Sequence, residues 1–139
     1  MKQTDDLRQE LMESADLDKF LSENQGSFET EDCGITLERL LENRGYSKAE
    51  LARRAGMSTV YLYQILSGRR KPSRDRLICL CFGLDCSLDT TKELLKKNGF
   101  LGLYPKNRRD AIILYSLSKG ISLQETNDKL FREKEECLL

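Results

Sequence analysis

Histidine is absent from the 139 residues, and that absence thins the field of functions at once. A common zinc set has no imidazole to draw on, and general-base catalysis loses its usual side chain near neutral pH. Five cysteines (Cys33, Cys79, Cys81, Cys86 and Cys137) make an odd count with no CxxC pair, so metal binding is not expected. No apolar run approaches the roughly 18 residues that a membrane span requires. The opening Met1 to Glu10 is acidic and lacks the basic and apolar regions of a signal peptide, which makes the cytoplasm the expected location. A phosphate-cradling GxxxxGK, a GxSxG elbow and carboxylates at a recognisable spacing are all missing, so an enzyme is not expected either. No cofactor and no small-molecule ligand is evident.

What is present is charge, unevenly placed. Formal net charge is zero, yet residues 1–32 hold ten acids against three bases, while residues 44–76 hold nine bases (Arg44, Lys48, Arg53, Arg54, Arg69, Arg70, Lys71, Arg74 and Arg76) against Glu50 and Asp75. A charge run is ordinarily a solvated face; a basic block that coincides with a binding motif carries more weight.

The motif lies inside that block. Residues 47–72, SKAELARRAGMSTVYLYQILSGRRKP, read as a helix, a glycine turn, a second helix and a basic loop. Two helices that cross steeply need a small residue at the crossing and a glycine at the turn. Leu51, Ala52 and Ala55 face inward from the first helix, Gly56 can take the left-handed turn conformation, and Met57, Leu62 and Ile65 close the core from the other side. Ser47 with Glu50 predicts a capping box for the first helix, and Ser58 stands where the second needs its N-cap.

Elsewhere helical periodicity dominates and no convincing strand alternation occurs. In the acidic opening, Leu7, Leu11 and Ala15, then Leu17, Phe20 and Leu21, predict one or two short amphipathic helices. The stretch NQGSFETEDCG marks a boundary near residues 24–34. A helix over about 35–44, ended by Gly45, should turn Ile35, Leu37, Leu40 and Leu41 inward. After Pro72, Ser73 caps a helix to about Gly83, and Ser87 opens one that ends at Asn98 and Gly99. The last forty residues predict an apolar connector, GFLGLYPK, and a helical hairpin over about 107–119 and from Ser122, which again forms a capping box with Glu125. Its inward set is Ala111, Ile112, Ile113, Tyr115, Leu117, Leu123, Leu130 and Phe131. LSKGISLQE echoes LENRGYSKAE, but FREKEECLL is too charged and too short to supply a second helix like the one after Gly56.

From about Ile35 to Asn98 the chain resembles the XRE family of regulators, with lambda-repressor-like and Cro-like DNA-binding domains. LERLLENRGYSKAELARRAGMS and SGRRKPSRDRL carry the resemblance, the latter matching the glycine, basic pair and proline that follow the family's recognition helix. Where many members pair an arginine of helix 1 with a glutamate near the recognition-helix end, this chain has Leu41 and Leu66, an apolar contact in place of an ion pair. The resemblance implies an all-α fold with a five-helix lambda-repressor-like core over residues 33–98, to which the residue pattern adds an acidic helical extension over 1–32 and a helical extension over 99–139. Similar tails occur in some bacterial regulators of this kind.

With Leu62, Ile65 and Leu66 inward, helix geometry turns Thr59, Val60, Tyr63 and Gln64 toward a DNA groove. By the resemblance, Thr59, Val60 and Gln64 read base edges, which suggests an A/T-containing half-site, since glutamine suits adenine and methyl groups suit thymine. Ser47 and Lys48 would hold one phosphate and Arg69, Arg70 and Lys71 another, with Ser58 and Tyr61 completing the DNA-binding set. The plainer alternative, that Gln64 and the tyrosines are merely exposed polar positions, stays open. Cys79, Cys81 and Cys86 sit in or beside a helix apolar nearly all round, which favours packing over redox sensing. The implied function is a sequence-specific transcriptional regulator that binds double-stranded DNA as a homodimer on a palindrome, with the helices after Gly99 as the dimer element. The alternative is a protein-interaction module or antitoxin-like adaptor on the same fold. The acidic segment 1–23 could dock as structure or compete with phosphate for the basic face.

Overall fold

The computed structural model describes residues 4–13, 17–18 and 32–139. Eight helices occur among them: α1 (Thr4–Glu13), α2 (Cys33–Arg44), α3 (Lys48–Arg54), α4 (Thr59–Leu66), α5 (Arg74–Gly83), α6 (Leu88–Lys97), α7 (Arg108–Lys119) and α8 (Leu123–Arg132). There is no strand among the described residues. The chain forms two compact units, residues 1–31 and residues 32–139. In the first, α1 leaves Leu11 and Met12 exposed, and Leu17 is exposed beyond it. The expectations for the Leu7 side chain, Ala15, Phe20, Leu21 and the connector up to residue 31 lie outside the described residues.

Polar caps set the helix starts. Asp32 accepts from the Ile35 amide at 2.9 Å, so α2 begins two residues earlier than its apolar spacing predicts. Gly34, Leu37 and Leu41 lie on the core side, and Ile35, on the side of the helix opposite Leu37, is 51% exposed, contrary to expectation. Ser47, Ser58, Ser73, Ser87 and Ser122 cap the next helices as their sequence positions predict. The capping box at Ser47 is only half made: Ser47 Oγ accepts from the Glu50 amide, while the Glu50 carboxylate is engaged by Arg53 at 2.6 Å. An ion pair one turn away competes with the backbone amide for the same oxygens.

The core of the second unit is continuous. Leu37 of α2, Leu51 of α3, Leu62 and Ile65 of α4, Leu77, Ile78 and Leu80 of α5, Leu95 of α6, Ile113 of α7 and Leu130 of α8 are all essentially inaccessible. Full burial of each such side chain contributes about 1.5–3 kcal/mol. α5 lies at the centre, with every residue from Leu77 to Gly83 buried. Gly83 lets α3 lie close there, since a Cβ would stand 2.9 Å from Leu51 Cδ1 and 3.2 Å from the Ala55 Cβ. Leu41 and Leu66 both join this core, Leu66 half-buried.

The last two helices form a hairpin packed on α5 and α6. Its inward set is not the one that apolar spacing predicts. Tyr115 is 60% and Phe131 74% exposed, whereas Ser116 and Thr126 are buried. The small polar pair permits close helix approach, and Thr126 Oγ1 satisfies itself on the Ser122 carbonyl at 2.8 Å. Leu138 is buried in this core, held by Asn127 Oδ1, which accepts from the Leu138 and Leu139 amides.

Candidate nucleic-acid interface

Ser58 fixes where α4 starts, accepting from the Tyr61 amide at 3.0 Å, and Gly56 at φ +66° sets the angle at which α4 leaves α3. With Leu62 and Ile65 buried, the opposite side of α4 presents Thr59, Val60 (68% exposed) and Tyr63 (51% exposed). Gln64 is half-buried at the edge of that face.

Basic side chains border α4 on both flanks. On one side Lys48, following the cap Ser47, lies over the Tyr63 ring at 4.9 Å and within 3.4 Å of Glu38. On the other, Gly68 at φ +80° turns the chain so that Arg69, Arg70 and Lys71 are exposed beside the helix end. The loop then folds back: the Arg70 amide donates to the Gln64 carbonyl at 3.1 Å, and Arg70 Nε donates to Gln64 Oε1 at 3.0 Å. The Arg70 and Arg76 guanidinium groups lie 5.2 and 5.6 Å from the Tyr61 ring. Tyr61 is therefore a half-buried platform under two cations, not a residue on the outer face.

The basic block of the sequence thus divides into two sets. Arg44 donates to the Asp85 carbonyl, Arg53 pairs with Glu50, Arg54 bridges the Gly83 carbonyl and Asp85, and Arg74 holds Asp110 with the Leu101 and Gly102 carbonyls. Arg44, Arg54 and Arg74 join distant parts of the chain, whereas Arg53 pairs within α3. Arg53 keeps the Glu50 carboxyl below its ordinary range, and the hydrogen bond to Asp85 raises the Tyr46 hydroxyl above its own. Lys48, Arg69, Arg70, Lys71 and Arg76 are the members that surround α4. Only Arg53, with Glu50 three residues before it, shows its pairing in the spacing; Arg44, Arg54 and Arg74 reach Asp85 and Asp110 tens of residues away.

Around α5 the thiols are packed. Cys79 and Cys81 are fully buried and Cys86 nearly so. Burial pushes the Cys79 thiol up to about 11, and Cys33 likewise. Cys81 is raised further by its hydrogen bond with Cys86 and by burial. No group of three histidine, cysteine or acidic side chains among the described residues could hold a metal ion, and no described helix is long and apolar enough to cross a membrane.

Residues 32–94 match the family model described as a helix-turn-helix domain. No curated protein and no solved structure matches the chain.

Proposed function

We propose, from the match of residues 32–94 to a helix-turn-helix domain and their resemblance to the lambda-repressor and Cro-like kind, that the protein is a sequence-specific transcriptional regulator. It binds a palindromic site in double-stranded DNA as a homodimer. The observation that carries this reading is the face of α4, where Thr59, Val60 and Tyr63 stand outward between Lys48 on one flank and Arg69, Arg70 and Lys71 on the other. In this reading α4 enters the major groove, and Thr59, Val60 and Gln64 meet base edges. Ser47 and Lys48 take one phosphate, and Arg69, Arg70 and Lys71 take another. Ser58 sets the register of α4, and Tyr61 positions Arg70 and Arg76 instead of touching a base. A module kept only for protein contacts has no need of cations arranged around this helix.

The test is selection of bound duplexes from a random pool by the purified protein. The reading expects an enriched inverted repeat with A/T pairs in each half and half-site centres about 34–36 Å apart, one helical turn. A pool that emerges without any consensus would overturn it.

A further inference from the structure

The second unit contains the same helix pair twice. Residues 74–103 and 109–138 align without a gap at the offset that carries Arg74 onto Arg109, and they share Arg-Asp at the start, then Ile78 with Ile113, Ser87-Leu88 with Ser122-Leu123, Thr91 with Thr126, and Leu95 with Leu130. The three-dimensional contacts repeat at the same offset. Thr91 Oγ1 donates to the Ser87 carbonyl at 2.9 Å as Thr126 Oγ1 does to the Ser122 carbonyl at 2.8 Å. Arg74 donates to the carbonyls of Leu101 and Gly102, and Arg109 to those of Glu136 and Cys137. Left-handed backbone occurs at Asp85 and Gly99 and again at Gly120 and Lys134. The two copies are clasped reciprocally: Arg74 pairs with Asp110 at 3.2 Å, and Arg109 with Asp75 at 3.0 Å.

One face of the pair is treated differently in the two copies. In the first, Leu77, Leu80 and Leu94 are covered, with α3 lying on α5 at Gly83. Their counterparts in the second are Ile112, Tyr115 and Lys129. Ile112 is half-buried and Tyr115 is 60% exposed, and they line an open groove of about 560 Å³ between α7 and α8. A face that receives helices of its own chain in one copy is left without them in the other.

We propose that this groove is the surface on which a second copy of the chain docks, α7 and α8 of one protomer against α7 and α8 of its partner. The charge along α8 selects that occupant. Glu125 lines the groove near the start of the helix and Arg132 near its end, and neither has an ion pair among the described residues. A twofold axis perpendicular to α8 runs the two α8 helices antiparallel and sets Glu125 of each protomer beside Arg132 of the other, with Tyr115 packed at the centre. A uniformly acidic or basic partner would meet a like charge at one end. The assignment deepens the dimeric reading proposed above and rests on it.

Sedimentation equilibrium on the full chain across a micromolar range tests it. The wild type should reach twice 16.0 kDa. Tyr115→Glu, at an exposed position that leaves the core intact, should raise the dimer dissociation constant at least tenfold with an unchanged circular dichroism spectrum. Glu125→Arg and Arg132→Glu should each weaken the dimer, and the two together in one chain should restore it, because the twofold then pairs unlike charges again. A wild type that remains at 16.0 kDa overturns the proposal and leaves the groove to a different protein. A dimer indifferent to Tyr115→Glu, or single charge reversals without rescue, overturns it by placing the contact elsewhere. Fluorescence anisotropy of a labelled duplex, read on the same samples, keeps the DNA-binding reading separate: a dimer that ignores DNA defeats that reading alone, and a chain that binds DNA but whose sedimentation is indifferent to these changes defeats this proposal alone.

Discussion

Arg70 ties the candidate base reader to the candidate phosphate clamp. Its Nε occupies the Gln64 amide oxygen at 3.0 Å, so the amide that would bond an adenine is already oriented, with its NH₂ directed away from Arg70. Replacing Arg69, Arg70 and Lys71 with alanine should flatten the salt dependence of duplex binding by about 0.9 in log-log slope for each phosphate that is no longer neutralised. Gln64→Ala should instead relax preference at one base pair, at roughly 1–3 kcal/mol. Because the two side chains share a hydrogen bond, Arg70→Ala and Gln64→Ala should combine non-additively, with a coupling of about 0.5 kcal/mol or more. Titrations at several salt concentrations on matched and mismatched duplexes check this; equal losses on every sequence from both changes would refute the division of roles. The thiols give a second residue-scale test. Cys79 is held neutral by burial, its value pushed up to about 11 from an ordinary 9.0. The unfolded chain therefore ionises this thiol first as pH rises, so its contribution to stability is complete below pH 9 and is lost between about 9 and 11. Urea midpoints should fall across that window, and Cys79→Ala should remove part of the fall; a midpoint equally steep without the thiol would count against it. Alkylation of Cys79 and Cys81 at neutral pH should be slow until the chain unfolds.

At the scale of elements, the placement of α4 depends on a glycine outside the helix-turn-helix motif itself. A Cβ at Gly34 would come within 2.8 Å of the Ile65 carbonyl oxygen and still nearer that of Leu66. Those oxygens belong to the last turn of α4 and cannot rotate away as a side chain can. Gly34→Ala should cost about 1–3 kcal/mol by overpacking and should also shift the end of the recognition helix, weakening DNA binding in protein that is still folded. Denaturant melts and binding isotherms on the same preparation measure both, and unchanged stability would show that α2 can move without consequence. Helix number and caps are legible in the sequence because they depend on neighbours three or four residues away. The facing of Tyr115 and Phe131 is not, because it depends on what lies across the interface, where Ser116, Thr126 and Leu138 are the buried residues; Ile35 turns out for a local reason, since a turn of 3.6 residues sets it on the side opposite Leu37.

At the scale of the whole molecule, the opposition between an acidic start and a basic middle remains the strongest feature of the charge distribution. A tether of ten or so residues holds an acidic segment at an effective concentration on the order of millimolar, enough to rival non-specific DNA binding at about 10⁻⁴ to 10⁻⁶ M. Deletion of residues 1–26 separates two roles for it. Competition with phosphate predicts a stable protein with tighter non-specific binding at low salt. A structural role predicts a lower melting temperature or an altered mass, with no gain in affinity. The mixed use of the basic block sharpens this test, since only the cations around α4 are there to be competed for.

The helical class, the serine caps, the glycine turn at Gly56 and the outward face of α4 are all legible in the amino-acid order, because each follows from local spacing and backbone stereochemistry. The tertiary structure alone decided which arginines remain beside α4 and which are bound to Asp85 and Asp110, because those pairings join residues far apart in the chain. It also decided that the last helices are a second copy of α5 and α6, clasped to the first by reciprocal Arg-Asp pairs. Eight shared residues, among them Arg74 and Arg109, Thr91 and Thr126, and Leu103 and Leu138, are too sparse a pattern to stand out from ordinary helical periodicity until the contacts they make are seen to repeat.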